Sequence, residues 1–422
     1  MSVIQLLILT TLLWVLISIA NKTSLSRNAK FTPMSNFVVI FILFNLAASQ
    51  FYYWSDIGDF HRYPYIDNRF SDEILGTFNS NLVWLCYIAL GHIIFSASYN
   101  AAPKIKFTRG GYSQRTRRIN TDLISVIVVL IALLFALYYQ DALISRQSYI
   151  IEGENTQIRT LLMLLVVISA FLTGVVARDR PTLGLVLLII IIVLLLAHGS
   201  RRAAVAPALF FLGKYLSDTP SVKNYVSLTV TSGCLLAFSL LMRNMDQQGL
   251  AHFFNVFNFD NLDALPISNL FQYVLNNLFM GFPMAHYAKS NIAIDSHIIF
   301  ASLNPLPGAL VWRHEYTDLL RVGTFFPVNA IGTLNGAEHM AGAFAATFFG
   351  FLLSIVNLQY LQAVARQQRV VMIAILGLSL LASIFFVQYG LRHAVRPLYY
   401  AIFIGLAVNS FRSLLPRDQT KT

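Results

Sequence analysis

Read for polarity alone, the chain alternates between long apolar runs and short polar connectors. After a first run over about 3–20 and a second over 36–54, further runs cover about 81–99, 122–140, 160–177, 182–198, 203–216, 225–242, 340–364, 370–388 and 398–411. About 20 apolar residues at 1.5 Å rise cross a hydrocarbon layer of roughly 30 Å, so each run is a candidate span. The pattern predicts an all-α polytopic integral membrane protein with about eleven transmembrane helices. One long stretch breaks the alternation, between Arg243 and His339. It divides the chain into spans one to eight (1–242), a large loop (243–339), and spans nine to eleven with a tail (340–422).

Charge then assigns the loops to sides. The connectors holding Lys22, Arg27 and Lys30, and Lys104, Lys106, Arg109, Arg115, Arg117 and Arg118, carry no acid, whereas the one between spans two and three carries Asp56, Asp59, Asp67, Asp72 and Glu73. Basic loops stay cytoplasmic, which puts the N-terminus outside, the C-terminus inside and the 243–339 loop outside. With that assignment 18 of the 30 lysines and arginines, but only 4 of the 19 acids, are cytoplasmic. The net charge of +11 is therefore a signature of topology and of attraction to the inner leaflet, and predicts no nucleic-acid partner.

Composition agrees with the pattern: 56% of the residues are hydrophobic and 12% charged, against roughly 25% charged in a soluble domain. Mean hydropathy is +0.63. The first run lacks a basic flank and is too long for the apolar part of a secretory signal, so it reads as a retained span. Cys86 and Cys234 both lie in apolar runs, which predicts neither a disulfide framework nor a metal site. No phosphate-cradling or dinucleotide glycine motif occurs.

Some arginines fall on the outer side, in connectors too short to be free loops. Arg201 and Arg202 follow Gly199-Ser200 between spans six and seven, and Arg392 and Arg396 lie between spans ten and eleven. Charge at membrane depth is costly and is usually paired or lines a wet site. No acid is adjacent, so each pair either snorkels to headgroups or holds an anion. A phosphate suits the planar guanidinium fork.

The large loop has its own order. Phe271, Leu275, Leu278 and Phe282 recur at helical spacing, which predicts a helix over about 270–282, either lying on the outer membrane surface or covering the bundle. Arg313, His314, Glu315, Asp318 and Arg321 bring both charge signs together, as a mutually paired face or as part of a site. Glu338 and His339 immediately precede span nine, and either could act as a general base at the membrane boundary.

These features together carry a family resemblance: the outward Gly199-Ser200-Arg201-Arg202-Ala203, the large outer loop before the last three spans, and Gly336-Ala337-Glu338-His339-Met340-Ala341-Gly342-Ala343-Phe344 leading into a helix with Gly350. The chain resembles the Wzy-type O-antigen and oligosaccharide repeat-unit polymerases, which are similar in architecture to O-antigen ligases. Where family members often show Ser-Arg-Gly, this chain has Ser200-Arg201-Arg202.

The resemblance implies a GT-C-like membrane glycosyltransferase of the bacterial inner membrane, working at its periplasmic face without cofactor or metal. The enzyme would transfer a glycan from undecaprenyl pyrophosphate onto the sugar end of another lipid-linked repeat unit, with membrane lipid around it and a chain-length regulator as a possible partner. Arg201, Arg202, Arg313, Arg321, Arg392 and Arg396 would surround the pyrophosphate, and His339 or Glu338 would deprotonate the acceptor. A ligase or a lipid-linked oligosaccharide flippase is the alternative, although the near absence of charge from the middle of the spans favours a one-sided enzyme.

Overall fold

A computed structural model describes residues 42, 45–46, 48–49, 71–101, 120–147, 155–215, 221–243, 249–252, 275, 278–306, 314–322, 326–365 and 368–414. The first predicted span lies outside these residues, and only isolated positions of the second are among them. The described chain is helical apart from one short hairpin. It divides into two compact units, one of residues 112–275 and one joining 1–111 to 276–422.

Along the chain, α1 (Ser71–Ala101) precedes the helices of the 112–275 unit. These are α2 (Thr121–Tyr139), α3 (Asp141–Ile144), α4 (Thr156–Asp179), α5 (Pro181–Ala197), a 3-10 turn over Arg201–Ala204, α6 (Ala206–Lys214) and α7 (Val222–Arg243). Asn120 and Asn155 cap α2 and α4 by accepting from backbone N–H groups of the first turn. Phe135, Val166, Ile191 and Leu195 pack into a shared core. The opposite face of α2 leaves Leu123, Val126, Leu130, Leu133, Leu134 and Leu137 exposed, a surface that water would penalise and a bilayer accepts. Similarly, α5 buries Leu187, Leu188 and Ile191 while exposing Leu185, Val186, Ile189 and Ile190, so much of it faces outward.

The seventh predicted span takes a different form. It is broken into the 3-10 turn and the nine-residue α6, and α6 alone rises only about 14 Å, well short of a membrane. Ala203 and Ala206 are buried there, as close helix approach requires.

The other unit combines α1 with α8 (Gly281–Asn291), α9 (Ser296–Leu303), α10 (His314–Leu319), an antiparallel hairpin of β1 (Arg321–Val322) and β2 (Phe326–Pro327), α11 (Ala330–Gly336), α12 (His339–Ala365), α13 (Arg369–Gln388) and α14 (Leu391–Leu414). Helices α1 and α12 touch backbone to backbone at Gly91 and Gly350. A Cβ at Gly91 would collide with the Thr347 carbonyl, and one at Gly350 with the Ile88 carbonyl.

Among the described residues, four helices are long and apolar enough to cross a membrane: Thr121–Tyr139, Gln157–Asp179, His339–Val364 and Val371–Gln388. The described part of the large loop is folded. Asn329 ties it to the last helices, donating from Nδ2 to the carbonyls of Gly281 (2.7 Å) and Val387 (2.9 Å) while its Oδ1 caps α11 at Gly332 N. The helix predicted over 270–282 falls mostly outside the described residues. The described helix begins where that one was to end, and it buries Gly281 to His286 and Ala288 inside the unit.

Candidate functional site

In the 112–275 unit the arginine pair is placed by the end of α5. His198 closes the helix, and Gly199 turns left-handed at φ 74°. The N–H of Gly199 then reaches the Leu196 carbonyl (2.7 Å) and that of Ser200 the Leu195 carbonyl (2.8 Å), the two-bond helix stop that favours glycine. Ser200 starts the 3-10 turn by accepting from Arg202 N at 3.3 Å. The chain reverses from a carbonyl-rich helix end to an amide-rich helix start within three residues, and two arginines open the new turn. The Arg202 side chain is exposed, while that of Arg201 lies outside the described residues.

A third arginine, which the sequence reading passed over, holds this reversal. Arg146 Nη1 donates to the Ala142 carbonyl (2.7 Å) and to the Ala197 carbonyl (2.8 Å). It joins the short helix α3 to the last residue of α5, and a cation at a helix C-terminus also meets the negative end of the dipole. Tyr139 packs edge-on against the buried His198, ring centroids 4.8 Å apart, and Phe135 lies 5.9 Å from the same ring. The start of the large loop seats on the same segment, with His252 Nε2 3.2 Å from Ser145 Oγ.

In the other unit the two ends of α9 hold different chemistry. At its N-terminal end, residues 293–297 run beside 336–338. Ile294 and Ala337 form a parallel bridge, and Ile294 N donates to the Gly336 carbonyl at 2.8 Å. Gly336 permits this approach, since a Cβ there would stand 2.7 Å from the Ile292 carbonyl.

Asn335 fixes the neighbouring backbone. Its Oδ1 accepts from Trp84 Nε1 (2.6 Å), and its Nδ2 donates to Asn81 Oδ1 (2.8 Å). Between the two segments opens a cavity of about 510 Å³, lined by Ala293, Ile294, Asp295, Ser296, His297, Gly336, Ala337 and Glu338. Asp295 and Glu338 each stand at the amino end of a helix, α9 and α12, where the positive dipole end offsets the gathering of two carboxylates. His339 does not line this cavity. Its ring lies 5.7 Å from Trp84 and 6.0 Å from Tyr87.

The C-terminal end of α9 is gripped by α14. Arg392 Nη1 donates to the Ala301 carbonyl (2.6 Å) and its Nη2 to the Leu306 carbonyl (3.0 Å). Tyr399 Oη donates to the Leu303 carbonyl at 2.6 Å. Arg392 is only 5% exposed. Burial first, and Arg396 second, lower its pKa to about 10, so it stays charged at neutral pH. Arg396, one turn on, is half-buried and reaches the Leu306 carbonyl at 3.4 Å.

The structure thus brings together Arg392 with Arg396, and Glu338 with two residues the sequence reading did not single out, Asp295 and His297. It separates these groups along α9, whose eight residues rise about 12 Å. Arg321 is exposed on β1, and Arg313 lies outside the described residues.

A protein-family model described as O-antigen polysaccharide polymerase Wzy matches residues 1–293. The matched part contains Arg146 and the Gly199–Arg202 turn and stops just before Asp295. No curated protein and no solved structure matches the chain.

Proposed function

Because the chain belongs to the Wzy family of O-antigen polysaccharide polymerases, and so is a membrane enzyme that builds O-antigen, we propose a specific reaction and site for it. The substrates are repeat units on undecaprenyl pyrophosphate, and the reaction takes place at the periplasmic face of the bacterial inner membrane. The chain crosses that membrane about eleven times in a GT-C-like arrangement, N-terminus out and C-terminus in, with the 243–339 segment as its outer head.

The observation that carries the reading is the polar cavity at the head of α12. Glu338 lines it, and the two helices that start at it, α12 and α9, carry exposed apolar side chains further along, Met340 and Phe344 on the first and Phe300 on the second. A carboxylate next to a lipid-facing surface suits an acceptor whose sugar is polar and whose carrier is a lipid. Glu338 accepts the proton of the acceptor hydroxyl, whose oxygen bonds to the anomeric carbon of the donor glycan. The bond from that carbon to the pyrophosphate oxygen breaks, and the lipid pyrophosphate departs with the electron pair.

Departing diphosphate charge needs fixed cations, and losing one such donor typically costs on the order of 100-fold or more. Arg201, Arg202, Arg313, Arg321 and Arg396 are the proposed sources, with Arg392 holding Arg396's surroundings as well as adding charge. His339, away from the cavity wall, is the lesser candidate for the base.

Deleting the gene and restoring it on a plasmid tests the reading. Loss of a polymerase leaves single repeat units on the acceptor lipid, and the plasmid restores long chains. Loss of all repeat units instead would point to a ligase or a flippase.

A further inference from the structure

Opposite Glu338 the cavity wall carries Asp295 and His297, which the mechanism above does not use. Asp295 occupies the N-cap position of α9, where an aspartate ordinarily turns its carboxylate back onto the first-turn amides. Here the side chain makes no such bond. It is 76% exposed, and its Oδ2 lies 3.7 Å from His297 Nδ1, beyond hydrogen-bond length. The His297 side chain is 56% exposed, with its ring 5.4 Å from that of Tyr316 on α10. The carboxylate therefore keeps acceptor capacity for something in the cavity, and the imidazole adds a group that can donate or accept.

The chemistry of the wall selects the class of ligand. Two carboxylates, Asp295 and Glu338, repel a phosphate, yet they accept from several hydroxyl groups at once. A volume of about 510 Å³ falls within the usual range for small-molecule pockets, roughly 300–1,000 Å³. We infer that Asp295 and His297 form a subsite for the hydroxyls of the acceptor sugar, and that they decide which saccharide is extended. The inference rests on the polymerase reading for the word acceptor. It assigns the two residues to binding, since both side chains are largely exposed and stand too far apart for a hydrogen bond between them.

The probe is the repeat-unit oligosaccharide freed from lipid and pyrophosphate by mild acid. Its binding to the full-length protein in nanodiscs is followed by saturation-transfer NMR. Wild type should transfer saturation to the sugar protons. Asp295→Asn and His297→Gln should bind about tenfold or more weakly with unchanged melting temperature, since both side chains are exposed.

No transfer in wild type, or equal transfer in Asp295→Asn and His297→Gln, overturns the inference. Chain extension on lipid-linked units separates it from the parent reading. The subsite predicts a raised KM for the acceptor unit with kcat largely kept in both variants. Extension by wild type with unaltered KM in the variants removes the subsite and leaves the polymerase. Sugar binding without any extension by wild type keeps the subsite and removes the polymerase.

Discussion

Arg146 and Ala197 are 51 residues apart in sequence and 2.8 Å apart in space, guanidinium to carbonyl. That bond fixes the end of α5 from which Gly199, Ser200 and the arginine pair follow. A hydrogen bond from a charged group is worth roughly 1.5–3 kcal/mol, and Arg146 makes two to backbone carbonyls. Arg146→Ala should lower the melting temperature of the purified protein and reduce chain extension together. Arg202→Ala, at an exposed position, should reduce extension by about 100-fold with the melting temperature unchanged. Equal melting temperatures for Arg146→Ala and wild type would remove the bracing role.

Glu338 and His339 are neighbours in sequence but face different surroundings. Glu338 borders the cavity, and His339 packs beside Trp84 and Tyr87. Removing a general base typically costs 10²–10⁴-fold. Glu338→Gln should therefore lower kcat for chain extension by about 100-fold or more, and His339→Gln by less than about tenfold. The opposite ranking, measured by single-turnover extension, would transfer the base to His339.

Arg392 and Arg396 lie one turn apart on α14 with different duties. Arg392 is buried and holds the carbonyls of Ala301 and Leu306, so Arg392→Met leaves the buried Ala301 carbonyl without its cation. Its signature should be a loss of several degrees in melting temperature and poor recovery from the membrane. Arg396→Ala should keep the melting temperature within about a degree and lose extension. Because burial lowers the Arg392 pKa only to about 10, its contribution is complete at neutral pH. Its folded-state pKa lies below the ordinary arginine value, so burial destabilises the charged form. Its titration should therefore leave stability flat from pH 6 to 9 and, since the unfolded chain then holds the extra proton, should not lower it as pH rises through 10.

How much of this was legible in the chain depended on where burial and apolarity coincide. The run at 182–198 is α5 to within a residue, and 340–364 is α12 to within a residue at either end, because uninterrupted apolar sequence stops at polar residues. The third predicted span, 81–99, falls short of α1, which begins at Ser71. The missing turns carry Thr77, which the fold buries with its Oγ1 2.7 Å from His286 Nδ1, and the run's first residue, Asn81, is likewise buried and accepts from Asn335. Helix α8 was invisible to periodicity because Gly281 to His286 are all buried, leaving no polar face to set a rhythm.

The arginine turn was visible as Gly199-Ser200-Arg201-Arg202, since glycine at a helix stop and serine at a helix start are local signals. Arg146 was not, because its partner carbonyl belongs to a helix half a hundred residues away. Asp295 and His297 look like an ordinary loop before a short helix. Only the pairing of Ile294 with Gly336, across 42 residues of chain, sets them opposite Glu338. The one local hint was an aspartate at a helix N-cap, a position that by itself implies capping rather than ligand binding.

The most direct measurement is reconstitution of the purified full-length protein with its own undecaprenyl-pyrophosphate-linked repeat units, with a chelator present, resolved by chain length on a gel. The protein alone should yield a ladder of lengthening glycans, and Glu338→Gln single units only. Folded wild type that leaves a verified substrate as single units would overturn the polymerase assignment, and a Glu338→Gln ladder equal to wild type would overturn Glu338 as the base.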